Sequence, residues 1–183
     1  MLMLKQNFED LITSDAIDVL LDERGKLDTH YVETNIVNEV LNQFKSHNVV
    51  TITGISEIGK SATIYHIAFY LRDFDGYEII PCFNPGDIFS HFKKDRKTIF
   101  VIDDVCGKYE VVKSSVDIWV QYESLLQSVL QKGQNKLLTS CRLQVYNDDY
   151  FKKLKIFTTC SVELSRYTLT QKMKIAQRYL PLD

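Results

Sequence analysis

Val49-Val50-Thr51-Ile52-Thr53-Gly54-Ile55-Ser56-Glu57-Ile58-Gly59-Lys60-Ser61 is the stretch that decides how this chain folds. Its first five residues are a β-branched run, suited to a buried strand because stiff side chains pack well on a pleated surface. The remainder matches Gly-x-x-x-x-Gly-Lys-Ser/Thr at every fixed position. Beyond it, Ile64, Ile67, Ala68 and Leu71 recur at helical spacing. Strand, glycine-bounded loop and helix in this order wrap backbone around an anion. The glycines allow the tight turn, successive N–H groups point inward, and the helix contributes its positive end. Lys60 is then placed to reach the outer phosphates of a triphosphate, and the Ser61 hydroxyl to hold Mg²⁺.

Outward from this unit, Thr34 is placed to cap a helix carrying Ile36, Val37, Val40, Leu41 and Phe44 on one face. Tyr77-Glu78-Ile79-Ile80 predicts a second strand closed by Pro81, and residues 87–92 a short helix after Asn84-Pro85-Gly86. Residues 97–104 predict a third strand ending in Asp103 and Asp104. Residues 116–130 predict a helix with Trp119, Leu125, Leu126 and Val129 toward the core. Residues 136–140 and 156–164 supply a fourth and a fifth strand, and residues 170–180 a closing helix. Strands separated by helical crossovers predict an α/β fold: a mainly parallel five-stranded sheet with helices on both faces, in three layers. Residues 1–30 are less legible, with a short helix over 15–21 and a turn at Arg24-Gly25-Lys26. They read as an appendage, or as the tail of an upstream domain.

With 183 residues, 45% of them hydrophobic and 25% charged, the chain has the composition of one ordinary globular domain. A net charge of −2 argues against a protein that coats nucleic acid, which needs a basic surplus to neutralise phosphate. No apolar run reaches the length of a membrane span, and the N-terminus turns polar too soon for a signal peptide. Cys82, Cys106, Cys141 and Cys160 form no Cys-x-x-Cys pair, so reduced thiols in a cytoplasmic protein are expected. His30, His47, His66 and His91 lack metal-ligand spacing.

An acid at the carboxyl end of a buried parallel strand faces the ligand crevice of an open sheet. Asp103 therefore reads as the acid that holds Mg²⁺ through water, and Asp104 as the group that orients or deprotonates an attacking water. Thr139-Ser140-Cys141-Arg142 ends the fourth strand in the same way. Its polar groups are placed to sense a γ-phosphate, and Arg142 to stabilise its charge. Cys141, with no histidine near it in sequence, reads as a small buried residue.

These motifs together resemble the P-loop NTPase domain of the STAND proteins, specifically the third group of novel STAND NTPases. The likeness runs from Tyr31-Val32-Glu33-Thr34 through the phosphate loop (Walker A) and Phe100-Val101-Ile102-Asp103-Asp104 (Walker B). It continues through Lys136-Leu137-Leu138-Thr139-Ser140-Cys141-Arg142 and into Tyr167-Thr168-Leu169-Thr170. The resemblance implies ATP and Mg²⁺ as ligands, a nucleotide-gated signalling switch with slow hydrolysis, and an Arg142 strand lying between the two Walker strands. It implies phosphate contacts from Gly54, Ile55, Ser56, Glu57, Ile58, Gly59, Lys60, Ser61 and Ala62. Metal would be held by Ser61 and Asp103, with Asp104 on the catalytic water and Arg142 as sensor. Residues 31–165 would be the NTPase domain, and 166–183 the start of a helical arm.

Implied partners are effector or sensor domains, in one longer chain or as separate proteins, and further copies of the chain. Ser56 and Glu57 stand where the family loop usually carries Pro and Gly, and Glu57 adds an acid beside the phosphates. The residues leave three readings open: a regulatory ATPase, a small kinase acting on a metabolite, and a non-catalytic nucleotide-binding module. They also leave ATP against GTP open, although no guanine-specific Asn-Lys-x-Asp occurs.

Overall fold

The computed structural model describes residues 13–132 and 134–164 together with Met173, Lys174 and Gln177. Five strands, β1 (Val49–Gly54), β2 (Glu78–Pro81), β3 (Thr98–Ile102), β4 (Asn135–Arg142) and β5 (Ser161–Glu163), form one sheet in the order β2-β3-β4-β1-β5. Every adjacent pair is parallel. The strand carrying Arg142 thus lies between the strand entering the phosphate loop and the one ending in the acids. Pro81 sits on edge strand β2, where its missing N–H leaves no interior ladder bond unmade.

The α-helices over residues 13–164 are α1 (Ser14–Asp28), α2 (Asn35–Gln43), α3 (Lys60–Asp75), α4 (Pro85–His91), α5 (Lys113–Gln131), α6 (Leu143–Tyr146) and α7 (Lys155–Thr158), with a 3-10 turn at Phe151–Lys153. Side chains alternate across the sheet, as a period of two requires. Val50, Ile52, Ile79, Ile99, Val101 and Leu138 pack toward α2 and α3. Ile80, Phe100, Ile102, Leu137 and Cys141 face the other way, with Trp119, Leu126 and Leu130 of α5 and Phe151, Ile156 and Phe157.

Four local expectations are corrected. α1 does not stop at Arg24-Gly25-Lys26 but runs through it to Asp28. Packing against α3 offsets the cost of an internal glycine, and a side chain at Gly25 would lie against Phe69. Leu125 is exposed, because α5 turns Val116, Trp119, Leu126 and Leu130 inward and Leu125 falls about 100° off that stripe. α4 begins at Pro85, not residue 87. Asn84 caps it, accepting from the Gly86 and Asp87 N–H groups, while Asp87 returns a carboxylate to the Asn84 N–H. The fifth strand is shorter than expected, its first part being α7. Ile156 and Phe157 are adjacent and both buried in the same core, which a helical turn permits and an extended strand forbids. Met173, Lys174 and Gln177 are helical, and the rest of the expected closing helix lies outside the described residues.

Candidate functional site

Strand register builds the site. In the β1–β4 ladder Gly54 stands opposite Arg142, and in the β3–β4 ladder Ile102 stands opposite Thr139. One residue further along, Asp103 meets Ser140, and the parallel arrangement brings all three strand ends to one edge. Gly54 is tightly packed: a Cβ there would come 3.0 Å from Ile58 Cγ2 and 3.2 Å from the Leu164 carbonyl oxygen, so those neighbours would have to give way.

The loop over residues 55–59 turns through left-handed backbone at Glu57 (φ 61°) and Gly59 (φ 93°). Glu57 sits exposed at its tip. Lys60 is only 5% exposed, and its ammonium reaches back across the loop to donate to the Ile55 carbonyl oxygen at 2.7 Å. Burial pushes the Lys60 pKa below its usual value, opposed by the nearby Asp104 carboxylate. The loop therefore closes around a positive charge held by a single carbonyl, an arrangement that leaves two ammonium protons for an anion.

Ser61, first turn of α3, donates to Asp103 Oδ1 at 2.9 Å, and Ser140 donates to the same oxygen at 2.6 Å. Ser140 is fully buried and also accepts from the Asp104 N–H at 2.8 Å. That bond anchors Asp104, whose backbone is left-handed (φ 52°). Arg142 grips Asp104 with two N–H groups, Nε to Oδ1 and Nη2 to Oδ2, both at 3.3 Å. Its third arm, Nη1, donates to Ser56 Oγ at 2.9 Å, and the Tyr109 ring lies 5.2 Å from the guanidinium carbon. The bond to Asp104 raises the Arg142 pKa still further, so the group stays charged.

Residues 54 to 62, Asp103, Asp104 and Arg142, far apart in sequence, are thus brought to one edge. Two groups at the same edge carry little signal in the sequence. The sequence reading faces Ser140 toward a γ-phosphate, whereas its two hydrogen bonds, one to each acid, depend on register. Arg24, expected in a turn, projects from α1 to within 3.7 Å of Asp103 Oδ2 and lies over the Tyr65 ring at 4.7 Å. Tyr65 is buried beneath it, which pushes its pKa up to about 12. Tyr31, at the start of the resemblance, donates to Thr63 Oγ1 at 3.3 Å and stacks on His66 with ring centroids 3.9 Å apart.

The four cysteines are free and buried, and burial pushes the Cys106 thiol to about 12 and Cys141 higher still, the opposite of an activated nucleophile. Among the described residues no group of three or more His, Cys, Asp and Glu is arranged to hold a metal, and no helix is long and apolar enough to cross a membrane.

Solved structures with similar backbones include AMPPCP-bound DnaA from Aquifex aeolicus, at 17% identity and a TM-score of 0.51, covering 81% of this chain and 51% of that one. Domain III of the Thermotoga maritima replication initiation protein DnaA has 14% identity, a TM-score of 0.49, and coverage of 82% and 71%. The Thermotoga maritima RuvB Holliday junction branch migration motor has 14% identity, a TM-score of 0.46, and coverage of 91% and 50%. The chain spans about half the length of the Aquifex DnaA and RuvB chains. At these identities the likeness concerns the α/β P-loop fold. No curated protein sequence matches the chain. Residues 31–182 match the family described as Novel STAND NTPase 3, which is most of the sequence, and the chain belongs to that family of nucleotide-binding NTPases.

Proposed function

We propose that this chain is an ATP-binding, slowly hydrolysing NTPase module that works as a nucleotide-gated switch. The observation that carries the reading is the pairing of Ser61 with Asp103 at 2.9 Å, beside an Arg142 that spans Asp104 and the loop residue Ser56. Amides of residues 54–62 and the N-terminus of α3 would bind the phosphates. Lys60 would exchange the Ile55 carbonyl for a phosphate oxygen. Ser61 and Asp103 offer hydroxyl and carboxylate oxygens, the hard donors Mg²⁺ prefers, and would hold it. Mg²⁺ supplies neutralisation of the charge on the outer phosphates. Asp104 would orient water and take its proton. Arg142 would turn from Asp104 to the γ-phosphate, and because the two are engaged beforehand, water activation waits on that exchange. This favours a slow, switch-like turnover, whose output would pass to effector or sensor domains or to further copies of the chain.

ATP as the nucleotide draws on the AMPPCP held in the similarly folded Aquifex DnaA structure. We assign residues 31–165 to the NTPase domain and 166–183 to the start of a helical arm. A second reading, nucleotide binding without hydrolysis, draws on the same Arg142–Asp104 engagement and on exposed Glu57 at the loop tip. The test is equilibrium binding of Mg-ATP by the wild type and Lys60→Ala, followed by phosphate release. Loss of binding in Lys60→Ala is expected, and equal affinity refutes the phosphate site. Background phosphate release with ATP bound selects the second reading.

A further inference from the structure

Helix α1 precedes the segment matched by the family, yet its Arg24 comes within 3.7 Å of Asp103 in the proposed metal site. The helix is held there along its length. Ile17 is buried against the core, a Cβ at Gly25 would just touch the Phe69 ring, and Asp28 meets His66 Nδ1 at 2.9 Å. Between α1 and the first turns of α3 lies a cavity of about 130 Å³. Arg24, Asp28 and Tyr31 line it from one side, and Ser61, Ala62 and Tyr65 from the other.

The two oxygens of Asp103 have different company. Oδ1 takes both serine hydroxyls, while Oδ2 faces the Arg24 guanidinium at 3.7 Å, itself steadied by the Tyr65 ring. A divalent cation drawn to Ser61 and Asp103 would meet a fixed positive charge already on that carboxylate. Both cations cannot be neutralised by one acid, so they compete.

We propose that Arg24 makes α1 an internal gate on metal loading: it holds Asp103 while no metal-nucleotide is bound and must release it when one arrives. The inference rests on the reading of Ser61 and Asp103 as the metal site. Because α1 is anchored through neighbouring turns, displacement of Arg24 is transmitted to the whole helix, and so to whatever precedes it.

The test measures binding of AMPPCP to the full chain at graded Mg²⁺ concentrations, for wild type and Arg24→Gln, with hydrogen exchange of the α1 amides read in the wild type. The Mg²⁺ midpoint is expected to fall about two- to fivefold in Arg24→Gln, the range of a partly exposed ion pair, with metal-free AMPPCP affinity unchanged. In the wild type, α1 amides are expected to lose protection when AMPPCP and Mg²⁺ are added together. A midpoint that stays the same or rises in Arg24→Gln overturns the gate, since Arg24 would then be neutral toward the metal or would assist it. Unchanged α1 protection overturns it as well, without need of any variant. Lys60→Ala run in parallel separates the two readings: if it binds AMPPCP like the wild type, the phosphate site itself is wrong.

Discussion

Replacing Ser140 by alanine removes one oxygen atom that serves both acids. The hydroxyl donates to Asp103 Oδ1 at 2.6 Å and accepts from the Asp104 N–H at 2.8 Å, in a fully buried position. The Asp104 N–H then has no partner, a loss that costs about 1–3 kcal/mol for a buried donor. Asp103 loses less, because Ser61 and Arg24 remain beside it. The Asp104 backbone is left-handed, a conformation that costs a non-glycine residue about 1–2 kcal/mol, and relaxing it returns part of the loss. The balance is about 2 kcal/mol, or about 4–8 °C in Tm for a domain of this size. Urea and thermal unfolding followed by circular dichroism measure it directly. Relaxation at Asp104 also moves its carboxylate off the position from which it would orient the water, so ATP hydrolysis is expected to fall at least about tenfold while metal-free nucleotide affinity holds. Thr139→Val is the control. The Thr139 hydroxyl donates to Thr51 Oγ1 at 3.1 Å and touches neither acid, so it should cost about 1 kcal/mol and leave hydrolysis unchanged. A Ser140→Ala protein within about 0.5 kcal/mol of wild type, or with full hydrolysis, refutes the idea that this hydroxyl sets both acids.

Lys60→Met is expected to abolish Mg-ATP binding and yet raise the Tm of the nucleotide-free protein, since the buried ammonium is a function-related cost. The sign follows from its lowered pKa. The penalty is complete well below the native value and shrinks as pH rises from there toward 10.5, so the stability gain of Lys60→Met should shrink over the same alkaline range in pH-dependent melts. Gly107→Ala places a Cβ 2.1 Å from the Glu110 carbonyl oxygen at φ 133°, so the loop after β3 must open. A destabilisation of about 2–4 kcal/mol in urea titrations is expected, and a change below about 1 kcal/mol would show that the loop adapts freely.

The sequence by itself determined the sheet and the phosphate loop, because both rest on short-range rules. β-branched runs such as residues 49–53 make buried strands, glycines at 54 and 59 permit the turn, and helical spacing after Ser61 continues the chain upward. Only the tertiary structure decided which side chains share an oxygen. Ser140 reaches Asp103 and the Asp104 N–H because β4 is inserted between β1 and β3 in one register, and a shift of one residue would turn it to the other face. Only packing decided α1, where contact with α3 carries the helix across Gly25 and brings Arg24 over Asp103. Local propensity describes what a residue prefers alone, whereas these contacts join residues about forty to eighty positions apart, and their free energy exists only when the layers have closed.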